Sequence, residues 1–94
     1  MTKISIYSKV VVADDVVSCD LDGEAAILNL KDGVYYGLDP IGAKIWNLIQ
    51  NPMILSDVVE KIWEEYDVKK DECTDDIFEL IEELLNNGLV KVNE

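Results

Sequence analysis

The sequence predicts a mixed α+β fold, in which a three-stranded antiparallel sheet is followed by three helices. Between residues 16 and 38, three runs of strand-forming residues are separated by the turn sequences Asp22-Gly23 and Lys31-Asp32-Gly33, which are typical of hairpins. After Asp39 the apolar residues recur every three or four positions, which is the spacing of amphipathic helices. The spacing of the apolar residues therefore changes at Asp39, from a period of two residues to one of about 3.6 residues.

The predicted strands of the sheet cover residues 16–21, 24–30 and 34–38. Because the turns between them are short, the strands form an antiparallel meander. Upstream, residues 10–12 are three valines that favour an extended chain and end at the turn pair Asp14-Asp15. Residues 1–8 alternate only weakly, so they form either a frayed lead-in or an added edge strand.

The first predicted helix covers about residues 40–50. Asp39 is a good N-cap, and Pro40 fits the first helical position, where its missing N–H costs nothing. The second helix covers about residues 55–66, with Ser56 as its only plausible N-cap.

The third predicted helix covers about residues 72–87. Thr74 or Asp75 is its predicted N-cap and Gly88 its C-cap. Val90 and Val92 then leave as a short extended tail.

Length and charge limit the functions that this chain can serve. Its 94 residues make one domain, covering residues 1–94, and 20 acidic against 8 basic residues give a net charge of -12. Nucleic acids and anionic membranes are recognised by clustered Lys and Arg, so the net charge argues strongly against both as partners. An acidic domain suits a basic peptide or a basic patch on a partner protein.

The sequence shows no catalytic, cofactor or metal site. It has no histidine and no glycine pattern for phosphate binding, so the usual general base, metal ligand and nucleotide motifs are missing. Cys19 and Cys73 are predicted to be reduced thiols in a cytoplasmic protein. No apolar run is long enough to predict a transmembrane helix, and no signal peptide is predicted. We therefore expect a binding protein and not an enzyme.

The third helix has an unusually wide apolar stripe. Its centre is an ordinary core pattern made of Ile77, Leu80, Ile81, Leu84 and Leu85, and Phe78 falls to one side of it. Two interpretations remain open at this point. Phe78 either widens the packing of the helix against the sheet or lines a groove for a partner.

The chain contains an ordered series of motifs, Asp22-Gly23-Glu24-Ala25, Leu28-x-Leu30, Gly33-x-Tyr35-Tyr36-x-Leu38-Asp39 and Gly42-Ala43-x-Ile45-Trp46. The series continues in Tyr66-x-Val68, Asp76-Ile77-x-x-Leu80-Ile81 and Leu84-x-x-x-Gly88-Leu89-Val90. In its order of motifs the chain resembles the PqqD family over about residues 9–92. The chain departs from the family at Asp39, where many relatives have Asn, and at Ile54, where a Ser or Thr often starts the second helix.

This resemblance implies a winged helix-turn-helix-like domain that recognises ribosomally made precursor peptides. Family members hold the leader region of the precursor and present it to a tailoring enzyme, which is a radical-SAM protein or, in lasso-peptide pathways, a leader peptidase. The leader adds to the sheet as a strand beside the third strand and packs against the third helix. Carried onto this chain, the implied peptide-binding residues are Val34, Tyr35, Tyr36, Gly37, Leu38, Asp75, Phe78, Glu79, Glu82 and Leu85.

The roles within this set follow from residue chemistry. The strand supplies backbone pairing, Phe78 and Leu85 apolar contact, and the acidic residues ion pairs with basic leader residues. Alternation places Tyr35 and Tyr36 on opposite faces of the sheet, so the sequence leaves open which of the two faces the groove.

Two other functions are compatible with such a fold. One is a non-catalytic adaptor or dimerisation module without a peptide ligand, and the open strand edge would also allow a strand-swapped homodimer beside the monomer. The other is a winged-helix DNA-binding domain. The predicted third helix carries no Lys or Arg from Glu72 to Asn87 and is rich in acidic residues, which disfavours DNA.

Overall fold

The computed structural model describes residues 4–93 and confirms the predicted α+β class. The elements in chain order are β1 (Lys9–Val12), β2 (Val16–Leu21), β3 (Glu24–Asn29), β4 (Tyr35–Leu38), α1 (Pro40–Leu48), β5 (Met53–Ile54), α2 (Leu55–Glu65), α3 (Lys70–Asn86) and β6 (Val90–Asn93). The predicted meander is present as an antiparallel sheet of order β2-β3-β4. The winged-helix likeness stays a prediction.

A second antiparallel sheet, of order β5-β1-β6, was not predicted. The valines of β1 pair with the tail of the chain, with Val10 opposite Val92 and Val12 opposite Val90. On its other side β1 pairs with the two residues of β5. The extended segments expected at both ends are therefore strands of one sheet, and Val10 and Val90 are buried in the core.

The start of α2 is capped by backbone and not by Ser56, so that prediction is wrong. The helix begins at Leu55, and its N-cap residue Ile54 makes no side-chain cap bond. The Leu55 N–H donates to the Ser8 carbonyl at 2.9 Å and the Ser56 N–H to the Ile6 carbonyl at 2.8 Å. Two N–H groups that lack a partner within the helix are thus satisfied by residues 6–8. Those residues form neither an edge strand nor part of β1, and the first three residues of the predicted lead-in lie outside the described ones.

The predicted N-cap of α3 is also wrong, whereas its predicted C-cap is confirmed. The helix begins at Lys70, so Thr74 and Asp75 lie beyond its first turn, and the Thr74 hydroxyl donates to the Lys70 carbonyl at 2.8 Å. At the other end Gly88 has a φ of 71°. The Leu89 N–H donates to the Leu84 carbonyl at 2.9 Å, which completes a Schellman motif.

The junction between β4 and α1 was predicted correctly and fixes the geometry of the candidate site. Asp39 caps α1 by accepting a 2.8 Å hydrogen bond from the Gly42 N–H, and Pro40 is the first helical residue. A Cβ placed on Gly42 would lie 3.2 Å from Leu38 Cδ2, so glycine at this position allows α1 to pack directly on the end of β4.

The core lies between the inner face of the β2-β3-β4 sheet, the three helices and the second sheet. Trp46 is buried at its centre, and its indole N–H donates to the Ser18 hydroxyl of β2 at 3.0 Å. The largest other fully buried side chains are Ile27, Ile45, Ile49, Leu55, Ile77, Ile81, Leu84 and Leu89.

Candidate functional site

Strand β4 is an edge strand. Among residues 4–93 it pairs with β3 alone. The Asn29 N–H donates to the Val34 carbonyl at 3.0 Å, and hydrogen-bonded pairs alternate along an antiparallel ladder. The backbone groups of Tyr36 and Leu38 therefore point to β3, and the N–H and C=O groups of Tyr35 and Gly37 point to the open edge.

The structure places the two tyrosines on opposite faces. Tyr35 is 72% exposed on the outer face of the sheet. Tyr36 is half-buried and packs against the core, opposite the buried Ile27 of β3. Tyr36 is therefore the tyrosine that faces the helices.

Tyr36 also lies close to α3. Burial, together with a hydrogen bond to the Glu83 carboxylate and the negative charge of that group, raises the pKa of the Tyr36 phenol to about 12. The neutral phenol is the form that donates to Glu83. This contact identifies the side of α3 that lies beside the strand.

The helical repeat then shows which predicted residues of α3 lie on the side of β4. At about 100° per residue, Asp76, Glu79 and Leu80 lie within about 60° of Glu83 around the helix axis, on the side of β4. By the same count Phe78 is turned away from Glu83 by about 140° and Leu85 by about 160°. Both are half-buried and pack against the core.

Asp75 and Glu82 lie between these two sides. Together with Phe78, Glu79 and Glu83 they border a shallow concavity on the exposed surface of α3. Four of the five predicted residues of α3 therefore border one exposed surface, of which Glu79 lies nearest to β4, whereas Leu85 packs against the core. Their role in peptide binding remains a prediction.

A deeper, mainly apolar cavity of about 280 Å³ opens at the C-terminal end of β4. It lies between the start of α1, the end of α2 and the first turns of α3, and its lining includes Ile41, Ile45, Ile62, Tyr66, Ile77 and Leu80. Asp39, Glu72 and Asp76 also border it. This cavity was not predicted, because Leu80 was assigned to the core pattern of the third helix. In the structure Leu80 and the 41% exposed Ile41 both border the cavity.

The surface around this strand and helix is acidic and open to a cationic partner. Helix α3 carries seven acidic residues, Asp71, Glu72, Asp75, Asp76, Glu79, Glu82 and Glu83. None of them forms an ion pair with a lysine within residues 4–93, where the lysines that do pair contact Asp14, Asp15, Glu60 and Glu65. The carboxylates of α3 are thus available to basic groups from outside the chain.

Other kinds of site find no support in the described part of the chain. Residues 4–93 contain no group of three His, Cys, Asp or Glu side chains arranged to hold a metal ion. None of the helices in the same range has the length and apolarity needed to cross a membrane. Burial, followed by the charge of Asp76, raises the pKa of the Cys73 thiol, which disfavours the nucleophilic thiolate.

Comparison with known proteins places these features in a family. The sequence matches the family model of coenzyme PQQ synthesis protein D (PqqD) over residues 24–90. The solved structure of TbiB1 in complex with the TbiA(beta) leader peptide is 32% identical, with a TM-score of 0.81 over 86% of this chain and 94% of that one. A lasso peptide synthetase B1 complexed with the leader peptide is 22% identical and similar in fold, with a TM-score of 0.78 over 87% of this chain and 96% of that one. No curated protein matches the sequence.

Proposed function

The chain belongs to the PqqD family, and from this membership we propose that it binds the leader region of a ribosomally synthesised precursor peptide. The leader adds as an antiparallel strand to the open edge of β4, beside α3. The bound leader is then presented to a tailoring enzyme, a radical-SAM protein or a leader peptidase. This chain contributes recognition, and the partner contributes the chemistry.

The observation that carries the proposal is the unpaired edge of β4. A peptide strand placed there accepts from the N–H groups of Tyr35 and Gly37 and donates to their carbonyls. These bonds form with any peptide sequence, so they supply affinity without selectivity.

Selectivity is proposed to come from the two features that flank the edge. The carboxylates of α3, including Glu79 and Glu83, attract basic leader residues. The apolar cavity at the end of β4 accepts an apolar side chain of the leader. Because an antiparallel leader strand begins where β4 ends, the residue that enters the cavity belongs to the N-terminal part of the bound segment.

The proposed setting is the cytoplasm, where ribosomally made precursors arise. Both cysteines are free thiols, which fits a reducing compartment. No disulfide is needed to hold the described fold together, because each of the two sheets and the three helices contributes to one apolar core.

Hydrogen exchange combined with a binding titration tests this proposal. The labelled leader peptide from the neighbouring precursor gene is titrated with the full chain and followed by fluorescence anisotropy. Saturable binding that slows exchange of the Tyr35 and Gly37 amides is the expected result, since both exchange freely at the open edge. Exchange at Tyr36 should change less, because its N–H already bonds to β3. Binding without protection of Tyr35 and Gly37 would contradict strand addition, and no binding at all would contradict leader recognition.

A further inference from the structure

One wall of the apolar cavity at the C-terminal end of β4 is an irregular segment. Residues 66–69, which we call the connector, join α2 to α3 without forming a helix or a strand. Tyr66 and Val68 of the connector line the cavity. The contacts that hold the connector in place therefore also fix the shape of the cavity.

Trp63, in the last turn of α2, holds the connector from outside. Its indole N–H donates to the Val68 carbonyl at 3.0 Å, and the residue is 40% exposed. The ammonium group of Lys70 lies over the indole ring, 5.2 Å from its centre, and forms an ion pair with Glu60. Trp63 thus ties the connector to the helices on both sides of it.

A second lysine holds the start of the connector. Lys44 of α1 places its Nζ atom 5.6 Å from the centre of the Tyr66 ring and 2.8 Å from Glu65 Oε2. Exposed ion pairs and exposed cation–π contacts are individually weak. A segment held by such contacts opens locally while the rest of the domain stays folded.

The position of Lys70 is not explained by α3 itself. Lys70 is the first residue of that helix, and a positive charge at a helix N-terminus opposes the helix dipole. The contacts that favour a lysine here are those with Trp63 and Glu60. Lys70 therefore acts on the connector and not on the stability of its own helix.

We propose that Trp63, Lys44 and Lys70 are positioning residues for leader recognition. They hold the connector against the cavity and so determine which apolar side chain of the leader the cavity accepts. This proposal rests on the proposed function and adds the residues that control its selectivity. None of the three is among the described residues that line the cavity, so they act through Tyr66 and Val68.

Alkylation of Cys73 measures the opening of the connector. Cys73 lines the same cavity and is buried, whereas Cys19 is exposed. Iodoacetamide therefore modifies Cys19 at a rate that serves as the internal reference in each protein. Opening of the connector admits the reagent to Cys73, and mass spectrometry follows both thiols.

Three variants loosen the connector and a fourth is their matched control. We expect Trp63→Phe, Lys44→Met and Lys70→Met each to accelerate Cys73 alkylation by about fivefold, the effect of losing one hydrogen bond or one such lysine contact. Lys91→Met removes the same charge from an ion pair with Asp14, at a side-chain exposure of 48% against 49% for Lys44 and Lys70. The control should leave the Cys73 rate unchanged.

Urea unfolding separates a loosened connector from a destabilised domain. A general loss of stability lowers the urea midpoint and accelerates Cys73 alkylation together. Lys70→Met also removes an unfavourable charge from the start of α3, so it should accelerate alkylation without lowering the midpoint.

Leader selectivity tests the role in recognition. The labelled leader from the neighbouring precursor gene is compared, by fluorescence anisotropy, with versions in which each apolar residue of its N-terminal part is replaced by alanine. The replacement that weakens binding most identifies the side chain in the cavity. We expect Trp63→Phe to weaken binding of the unmodified leader by about fivefold and to bind this alanine version as tightly as the original chain does. Lys91→Met should not discriminate between the two peptides.

The outcomes separate this proposal from the one on which it rests. Equal weakening of both peptides by Trp63→Phe, or Cys73 rates unchanged in the three variants, would overturn the positioning role while leader binding stands. Absence of leader binding by the original chain would contradict the proposed function, even where the Cys73 rates show that these residues hold the connector.

Discussion

Replacing Gly37 by proline should affect the open edge of β4 and leave the edge that pairs with β3 unchanged. Proline has no N–H, and the N–H of Gly37 points away from β3, toward the edge where we place the leader. Proline is tolerated on edge strands when its missing N–H faces outward. Gly37→Pro should therefore leave the β2-β3-β4 sheet intact and remove a single bond to the leader.

The expected loss of leader affinity follows from the leader carbonyl that loses its hydrogen-bond donor. The leader carbonyl that accepted from Gly37 becomes an acceptor without a partner beside α3, which costs about 2 kcal/mol. That corresponds to leader binding weakened by about 30-fold. The free energy of unfolding should change by less than about 1 kcal/mol, because proline also restricts the unfolded chain.

Two companion variants make the result interpretable. Gly37→Ala keeps the N–H and places its Cβ in open space, so leader affinity should stay within about twofold of the original, well below the cost of a lost hydrogen bond. Leu38→Pro removes an N–H that serves β3, so it should destabilise the fold itself. The assay is fluorescence anisotropy with the labelled leader, next to urea unfolding. A folded Gly37→Pro protein that binds the leader as tightly as Gly37→Ala would refute the assignment of this edge.

Three further predictions concern Tyr36, Asp39 and the cysteines. In an ultraviolet absorbance titration the Tyr36 phenol should ionise with a pKa of about 12, and that pKa should fall in Glu83→Gln. The pKa of Tyr36 in the folded protein exceeds the usual 10.0, so the neutral phenol stabilises the fold fully below pH 10. This stabilisation is lost as pH rises toward 12. A free energy of unfolding that does not change between pH 10 and 12 would contradict the prediction. Asp39→Ala should lower the free energy of unfolding by about 1 kcal/mol in urea, and Asp39→Asn should restore it; equal losses would exclude capping as the cause. Mass spectrometry after alkylation should show one modified cysteine, Cys19, in the native protein and two in urea, and rapid native modification of Cys73 would disprove its burial.

Local signals in the sequence predicted the elements that local interactions build. The meander was visible because Asp22-Gly23 and Gly33 mark its turns, and α1 was visible because Asp39 and Pro40 mark its start. Gly88 marked the end of α3 in the same way. Each of these residues acts on neighbours within a few positions, so a single sequence contains the information.

The features that were missed depend on contacts between distant segments. Neither the pairing of β1 with β6 nor the capping of α2 by residues 6–8 leaves a local pattern. The orientation of α3 was missed for a related reason. A wide apolar stripe shows which residues are buried, whereas contacts between distant residues, such as Tyr36 with Glu83, show which side of the helix lies beside β4. The sequence therefore predicted where the strand of the candidate site lies but not which side of α3 faces it, and the peptide-binding role of both stays a prediction.

The pairing of β1 with β6 also sets an order of events during synthesis. Of the described strands, β1 is the first to leave the ribosome and its main partner β6 is the last. Closing the loop of about 80 residues between them costs about 4 kcal/mol of chain entropy in isolation, so β1 pairs with β6 only after the meander and helices have brought the two ends together. Until then the valines of β1 stay uncovered. Substitutions such as Val12→Ala should accordingly accelerate unfolding and leave the folding rate nearly unchanged.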